Sequence, residues 1–373
     1  MRNRICFVTT GDIKNIATAK RALGLANPLV ELGWNVSILM EDTEENRHRV
    51  QMECCGKVTV CYFPHCSALQ ELKEKNKLIS KIQPDFVYLC AFVVRNIVKA
   101  SKSTIIITEH SELPSLATSR KKVFKVLLYY FEEFFSIFYS DGILNASKYL
   151  QKTFTRRARY LFNGKKKMLY FPYAYSSEML PTKVEPIEDL SVEVDKESIC
   201  FTYLGSLSKA YGTIKLLKAF HLLLEKHKNA RLLLLGKGDE FVRITEYVKK
   251  YNLDKYVLVS GYVAEEDIPK YFSITDYFVM PMNDTIQDKA RCPSKLYMYL
   301  PYKKPIITCR IGEPYEVLKE NGLYYSVGDE NSLFTIMKEA CVKGRKEVNI
   351  NPLLHEWKSR AIEFNNWINK YFR

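Results

Sequence analysis

A hydroxyl and an ammonium stand side by side at Ser294–Lys295, directly after Pro293 and ahead of the apolar and aromatic run Leu296–Leu300. Pro293 suits the first turn of a helix, where its missing N–H is not needed. The open backbone N–H groups of such a turn, with the Ser294 hydroxyl and the Lys295 charge beside them, would seat a phosphate. Lys304–Pro305–Ile306–Ile307 follows and reads as the entry to a buried strand.

Glycines follow other apolar runs in the same half of the chain. Ile199–Leu204 ends in Gly205–Ser206–Leu207–Ser208–Lys209–Ala210–Tyr211–Gly212, and Leu232–Leu235 ends in Gly236–Lys237–Gly238–Asp239. Glycine lets backbone approach a ligand closely, and in a doubly wound sheet ligands bind at the carboxyl ends of strands. Each loop is equally readable as a plain turn after a strand. Neither is Gly-x-Gly-x-x-Gly, and that pattern occurs nowhere in the chain, which argues against a nicotinamide or flavin cofactor. In the first half, Gly11–Asp12 follows Ile5–Thr9, and His110 follows the β-branched run Thr104–Thr108. A lone histidine in that position is more often structural than chemical.

These residues must be carried by alternating strands and helices. The first half offers strands at Ile5–Thr9, Asn35–Met40, Lys57–Phe63, Phe86–Cys90 and Thr104–Thr108, with a helix from about Ala17 to Leu32. The second half offers strands at Ile199–Leu204, Ala230–Leu235, Tyr256–Val259, Tyr277–Pro281 and Pro305–Thr308, with helices at Thr213–His227, Glu265–Ser273 and Ser294–Leu300. Strand–helix alternation argues for parallel, helix-covered sheets. At 373 residues two domains are the natural reading: residues 1–174, a linker over 175–198 holding Pro181 and Pro186, and 199–354. In the last stretch, 355–373, Trp357, Phe364, Trp367 and Tyr371 share one helix face, which favours core packing.

Composition narrows the class. Hydrophobic content of 47% and charged content of 26% are those of a globular protein. The ten cysteines form no paired Cys-x-x-Cys motifs. Cys6, Cys90, Cys200 and Cys309 sit in apolar runs and read as buried thiols, which fits a reducing compartment and argues against zinc. The first eight residues lack the long apolar run of a signal peptide, and no stretch reaches the ~18 apolar residues of a membrane span. Charge is uneven: residues 1–172 carry 27 Lys+Arg against 15 Asp+Glu, and residues 173–373 carry 29 against 27. The excess in the first half implies an anionic partner, or simply a basic surface.

The segment Pro293–Ser294–Lys295–Leu296–Tyr297–Met298–Tyr299, continued by Lys304–Pro305–Ile306–Ile307, resembles the donor-binding segment of GT-B glycosyltransferases of the family-4, or group 1, type. That pattern runs Pro-Ser-Lys-Leu-aromatic-Glu-Tyr, then Gly-Lys-Pro-Val-Ile. Gly205, Gly236, Gly261, Asp276 and Pro293–Ser294–Lys295 follow in the family's order. The resemblance implies an α/β fold of two Rossmann-like doubly wound domains facing a cleft, with an acceptor-side first domain, a donor-binding second domain, and a last helix crossing back to the first. It implies a nucleotide-sugar donor, a glycan or lipid-linked acceptor of the kind used in bacterial surface polysaccharides, transfer with retention, and no metal, since no Asp-x-Asp occurs. It places the donor diphosphate against Gly205, Ser206 and Lys209, with Gly236, Val263, Pro293, Ser294 and Lys295 around the nucleotide. It places Gly11 near the cleft and His110 beside the transferred sugar, as a hydrogen-bonding and charge-stabilising group.

Two departures stand out. The family's loop Gly-Arg-Leu…Lys-Gly has Ser206 for the arginine and Tyr211 where the lysine is expected, with Lys209 two residues earlier as a substitute. The family's two glutamates, eight positions apart, become Ala290 and Met298 here; the second normally touches the donor ribose. Their loss favours an atypical donor, weak activity or a catalytically silent membrane-bound scaffold; a nucleotide-sugar epimerase is the other alternative, one that would leave the basic first half unexplained.

Around the aromatic segment Val123–Tyr139, residues 118–172 hold 12 basic and 3 acidic residues, among them Arg120–Lys121–Lys122, Arg156–Arg157 and Lys165–Lys166–Lys167. Basic clusters beside such a helix fit attachment to the anionic inner face of the cell membrane; a buried helix with solvated flanks is the plainer reading. No RNP-like motif supports nucleic acid as a partner.

Overall fold

The computed structural model describes residues 3–14, 18–117, 122–162, 166–177, 180, 190 and 192–373. The chain divides into two compact units, one of Met1–Ser176, Ala290–Cys292 and Leu353–Arg373, the other of Ser177–Lys289 and Pro293–Pro352. Tyr175, read from sequence as the start of a linker, is tied into the first unit. Its N–H donates to the His355 carbonyl at 3.1 Å, and its own carbonyl accepts from the Trp357 N–H at 3.0 Å. Pro181 and Pro186 lie outside the described residues, as do Arg120, Lys121 and Lys165.

The first unit runs β1 (Arg4–Val8), α1 (Thr18–Glu31), β2 (Asn35–Glu41), α2 (Glu44–Glu53), β3 (Thr59–Phe63), α3 (Ala68–Ile82), β4 (Phe86–Leu89), β5 (Ile105–His110), α4 (Pro114–Ala117), α5 (Val123–Tyr139), β6 (Gly142–Asn145), α6 (Lys148–Phe162) and β7 (Lys167–Tyr170). Its sheet has the order β3-β2-β1-β4-β5-β6-β7, every pair parallel. The second unit runs β8 (Ile199–Leu204), α7 (Thr213–Leu224), β9 (Ala230–Leu235), α8 (Phe241–Lys250), β10 (Val257–Gly261), α9 (Ile268–Ile274), β11 (Tyr277–Val279), α10 (Ile286–Ala290, its last residue counted with the first unit), α11 (Ser294–Tyr299), β12 (Ile306–Thr308), α12 (Gly312–Leu318), β13 (Leu323–Tyr324) and α13 (Glu330–Lys343). Its order is β10-β9-β8-β11-β12-β13, again all parallel. In each sheet the strand order reverses at the first strand, the switch point beside which doubly wound sheets bind ligands. Two Rossmann-like α/β units are thus present, as the strand–helix alternation predicts.

The strands are continuous apolar runs because a parallel sheet is covered on both faces. In the first unit one face packs Phe7, Ile38, Tyr88 and Leu144 against α1 and against the terminal helix α14 (Trp357–Tyr371). The other packs Val8, Leu39 and Val87 against Ile79 of α3. Trp357, Phe364 and Trp367 are buried, while Tyr371, the last residue of α14, is 39% exposed. A β-carbon on Gly24 of α1 would stand 2.3 Å from the Trp357 ring, so this glycine is what lets α14 lie on α1. Cys6, Cys90, Cys200 and Cys309 are buried thiols, as their settings indicate.

Candidate functional site

In the second unit, three loops and one short helix converge at the carboxyl end of β8. The Leu204 N–H donates to the Tyr299 hydroxyl at 2.9 Å. The Tyr299 ring stacks on Phe278 with centroids 4.1 Å apart and planes 6° from parallel. These contacts pin α11 to β8 and β11. From its first turn Lys295 reaches the β8 loop, with Nζ 4.0 Å from the Tyr203 ring centroid and 5.0 Å from that of Tyr211. Gly205 makes room for it: a β-carbon there would lie 2.6 Å from Nζ, and φ is +134°. Two aromatic faces attract an ammonium and so fix its position.

The loops interlock through backbone. Gly205 donates to the Leu235 carbonyl at 2.8 Å, Leu207 to Lys237 at 2.9 Å, and Glu240 to Leu207 at 2.9 Å. A β-carbon on Gly236 would meet the Gly205 carbonyl oxygen at 2.0 Å, and one on Gly238 the Leu207 carbonyl oxygen at 2.2 Å. The glycine of the β9 turn is therefore required by the neighbouring loop. Ser206 is exposed, and its carbonyl accepts from the Tyr203 hydroxyl at 2.8 Å. Lys209 is exposed on a 3₁₀ turn, and Tyr211 of that turn is the residue that meets Lys295.

Pro293 differs from its expected place. It is the N-cap of α11, with extended backbone at φ −71° and ψ 115°, and Ser294 is the first helical residue. Ser294 is exposed. Val263 is half-buried in the turn after β10, one residue beyond the exposed Tyr262. Lys237 escaped the sequence reading; its side chain lies against the same turn, with Cε 3.3 Å from a β-carbon on Gly261. The Gly236–Lys237–Gly238 spelling was its available signal. Tyr203 gave none, being one aromatic within a strand. Met298 is half-buried. Ala290 is fully buried and its carbonyl accepts from the Ser147 hydroxyl at 2.6 Å.

In the first unit the two candidate positions follow β1 and end β5. Gly11 has φ +74°. Its carbonyl accepts from Asn46 Nδ2 at 3.2 Å, while Asn46 Oδ1 accepts from the Ile13 N–H at 2.9 Å. A buried amide of α2 thus holds the Gly11 loop. Thr10 donates to Glu71 at 2.7 Å, and Glu71 pairs with the buried Lys75 at 2.5 Å.

His110 is 7% exposed and stacks on Phe154 with centroids 4.0 Å apart. Its Nε2 is 2.9 Å from Ser136 Oγ. The Ser136 hydroxyl donates to the Glu133 carbonyl at 2.7 Å, so Nε2 is the donor in the His110–Ser136 bond and Nδ1 carries the lone pair. Burial, and next the Arg157 guanidinium, push the imidazole pKa down to about 3. The expected charge-stabilising histidine is therefore a neutral ring, and what it offers is a hydrogen-bond acceptor. Arg157 pairs with Glu133 at 2.5 Å, and Glu133 also accepts from the Ser115 N–H at 2.8 Å. Among the described residues, no group of three or more His, Cys, Asp or Glu is placed to hold a metal ion.

Comparison with known proteins agrees with this architecture. The sequence profile described as Glycosyl transferases group 1 matches residues 186–340. An uncharacterized glycosyltransferase of Methanocaldococcus jannaschii is 24% identical over 188 residues, which span 48% of this chain and 45% of that protein. The sucrose-phosphate synthase of Thermosynechococcus elongatus superposes over 100% of this chain and 99% of its own, with a TM-score of 0.68 and 16% identity. The pneumococcal O-GlcNAc transferase GtfA, solved with UDP and GlcNAc, superposes over 100% and 99%, with a TM-score of 0.72 and 7% identity. Anabaena HepE, solved with UDP, superposes over 99% and 95%, with a TM-score of 0.62 and 12% identity. Two all-parallel sheets reversing at their first strands and these structural likenesses give the chain the GT-B fold, and residues 186–340 match the sequence profile of glycosyl transferases group 1.

Proposed function

We propose that the protein transfers a sugar from a nucleoside-diphosphate-sugar donor to a glycan or lipid-linked acceptor in cell-surface polysaccharide synthesis, at the inner face of the cell membrane, with retention and without a metal. The observation that carries this reading is Lys295, held by Tyr203 and Tyr211 over the Gly205 turn. A fixed cation beside exposed Ser294 and the β8 loop suits the donor diphosphate and would offset the charge that grows on the leaving nucleotide. HepE and GtfA, both solved with UDP, have the same fold and support a nucleotide-sugar donor. The basic first half supports a working place at an anionic surface.

Lys295→Ala tests the site. Titration with UDP and GDP should show affinity reduced at least tenfold, about 1.4 kcal/mol, with the Tm little changed. Unchanged affinity would remove the diphosphate from this position. Burial of Ala290 and the presence of Met298 at the two expected glutamate positions favour a second reading, a silent scaffold that binds nucleotide and transfers nothing. Donor binding without turnover on any lipid or glycan extract would select it, and interconversion of donor epimers without acceptor would select the epimerase.

A further inference from the structure

The helix α5 turns an apolar face outward along its whole length. Phe124 is 90% exposed, Phe131 65%, Leu127 59% and Phe138 56%, with Leu128 at 53%. They recur at steps of three and four and so form one stripe, about 25 Å long for a 17-residue helix. Phe131 stacks on Phe135, centroids 5.7 Å apart. Lys125 is the one charged residue among the exposed residues of α5. Water is a poor neighbour for such a surface, and a contiguous apolar face of this kind marks a docking site.

The opposite face of α5 is fastened to the first unit, with Ile137 buried among polar groups. Glu133 and Ser136 are buried, the first paired with Arg157 and bonded to Ser115, the second bonded to His110. The exposed phenylalanines are therefore not a core stripe turned the wrong way; the helix is already held to the first unit by its other face. Exposed basic residues lie before α5 and on α6, the helix that Arg157 joins to α5 through Glu133. Lys122 precedes α5 and is exposed, and Lys152, Arg156 and Arg159 are exposed on α6, beside Tyr160 at 83%. Across residues 1–172, 27 basic side chains face 15 acidic ones.

We infer that α5 lies in the surface of an anionic lipid bilayer, its Phe124–Leu127–Leu128–Phe131–Phe138 stripe among the acyl chains and the neighbouring lysines and arginines on the headgroups. The charge decides between occupants: a second copy of this basic surface would be repelled, whereas an anionic leaflet is attracted. No helix among the described residues is long and apolar enough to cross a membrane, so the bilayer is met at its surface. The inference rests on the membrane location proposed above, and names the element that makes the contact.

Cosedimentation of the full chain with phosphatidylglycerol–phosphatidylcholine vesicles and with pure phosphatidylcholine vesicles tests it. The wild type should partition at least ~tenfold more strongly to the anionic vesicles. The double variant Phe124→Ser/Phe131→Ser should lose most of that binding while keeping the wild-type Tm and affinity for UDP. Equal partitioning of the double variant and the wild type overturns the assignment. So does a wild type that ignores both vesicles and sediments as a dimer that the double substitution dissolves. Loss of vesicle binding with UDP binding intact leaves the nucleotide site standing; loss of UDP affinity in Lys295→Ala leaves the membrane contact standing, so the two readings fail separately.

Discussion

Lys295 Nζ occupies the space a side chain on Gly205 would need, 2.6 Å from the position of its β-carbon. The glycine and the lysine are thus one device. The left-handed φ of +134° lets the chain turn after β8, and the missing β-carbon lets the ammonium sit over that turn. Gly205→Ala should weaken UDP binding as Lys295→Ala does, by about tenfold, and should also destabilise the fold by about 1–3 kcal/mol because of the backbone conformation. Titration calorimetry and urea unfolding on the two variants separate these effects. Equal stability of Gly205→Ala and wild type would contradict the strained turn.

His110 ties pH to stability. Its folded pKa of about 3 lies below the ordinary 6.5 because burial disfavours the imidazolium. Below about pH 6.5 the unfolded chain takes up a proton that the folded chain refuses. Stability from this group is thus complete above that pH and is lost as pH falls toward 3, at up to about 1.4 kcal/mol per pH unit. His110→Gln should flatten the wild-type slope between pH 6 and pH 4 in denaturant titrations. Identical slopes would mean that the ring is not kept neutral by burial. If His110 takes part in turnover as a hydrogen-bond acceptor, as proposed, the rate should show no ionisation of this residue between pH 5 and 9.

Ser136 fixes which ring nitrogen of His110 carries the proton, since its own hydroxyl is committed to the Glu133 carbonyl. Ser136→Ala should lower kcat about tenfold, by releasing the tautomer, and leave affinity for UDP unchanged. A fall in nucleotide affinity with kcat intact would place the effect elsewhere.

The salt bridge between Arg21 Nε and Glu109 Oε1, 2.7 Å long with each side chain 5% exposed, fastens α1 to β5. Arg21 also donates to the carbonyls of Phe171 and Pro172, at 3.1 and 3.0 Å, and Tyr88 donates to Glu109 at 2.8 Å. Arg21→Ala strands a buried carboxylate and two carbonyls, which should cost about 3–5 kcal/mol. The double change Arg21→Met/Glu109→Gln should recover a large part of that loss in thermal unfolding. A double variant no more stable than Arg21→Ala would show that the charge left behind is not the cause.

Much of this frame was legible because parallel strands write themselves as unbroken apolar runs: Ile199–Leu204 and Ala230–Leu235 read almost to the residue. The helix α2 was not, for Glu44–Glu53 is polar on every side and carries no period. Its place is set by Thr43 capping the Asn46 N–H and by Asn46 reaching the Gly11 loop. The site divides in the same way. Ser294 and Lys295 were visible as a motif, whereas the aromatic cradle of Tyr203 and Tyr211 exists only once β8 and α11 meet. His110 was visible as a position, but its neutral state comes from burial and from Arg157, which no local pattern connects to it.

Met298 is the departure with the most direct test. It lies in α11, three residues after Lys295, where the family pattern carries a glutamate associated with the donor ribose. Met298 is half-buried, so a carboxylate there keeps access to solvent and its desolvation stays small. A glutamate that hydrogen-bonds a ribose hydroxyl adds binding only to ligands that possess the ribose, whereas Lys295 acts on the diphosphate. Met298→Glu should therefore raise affinity for UDP or GDP severalfold and leave, or slightly reduce, affinity for inorganic pyrophosphate, which the new negative charge repels. A parallel gain for both ligands would assign the effect to the fold of α11 rather than to the ribose, and a loss for both would show that this site has been rebuilt around methionine.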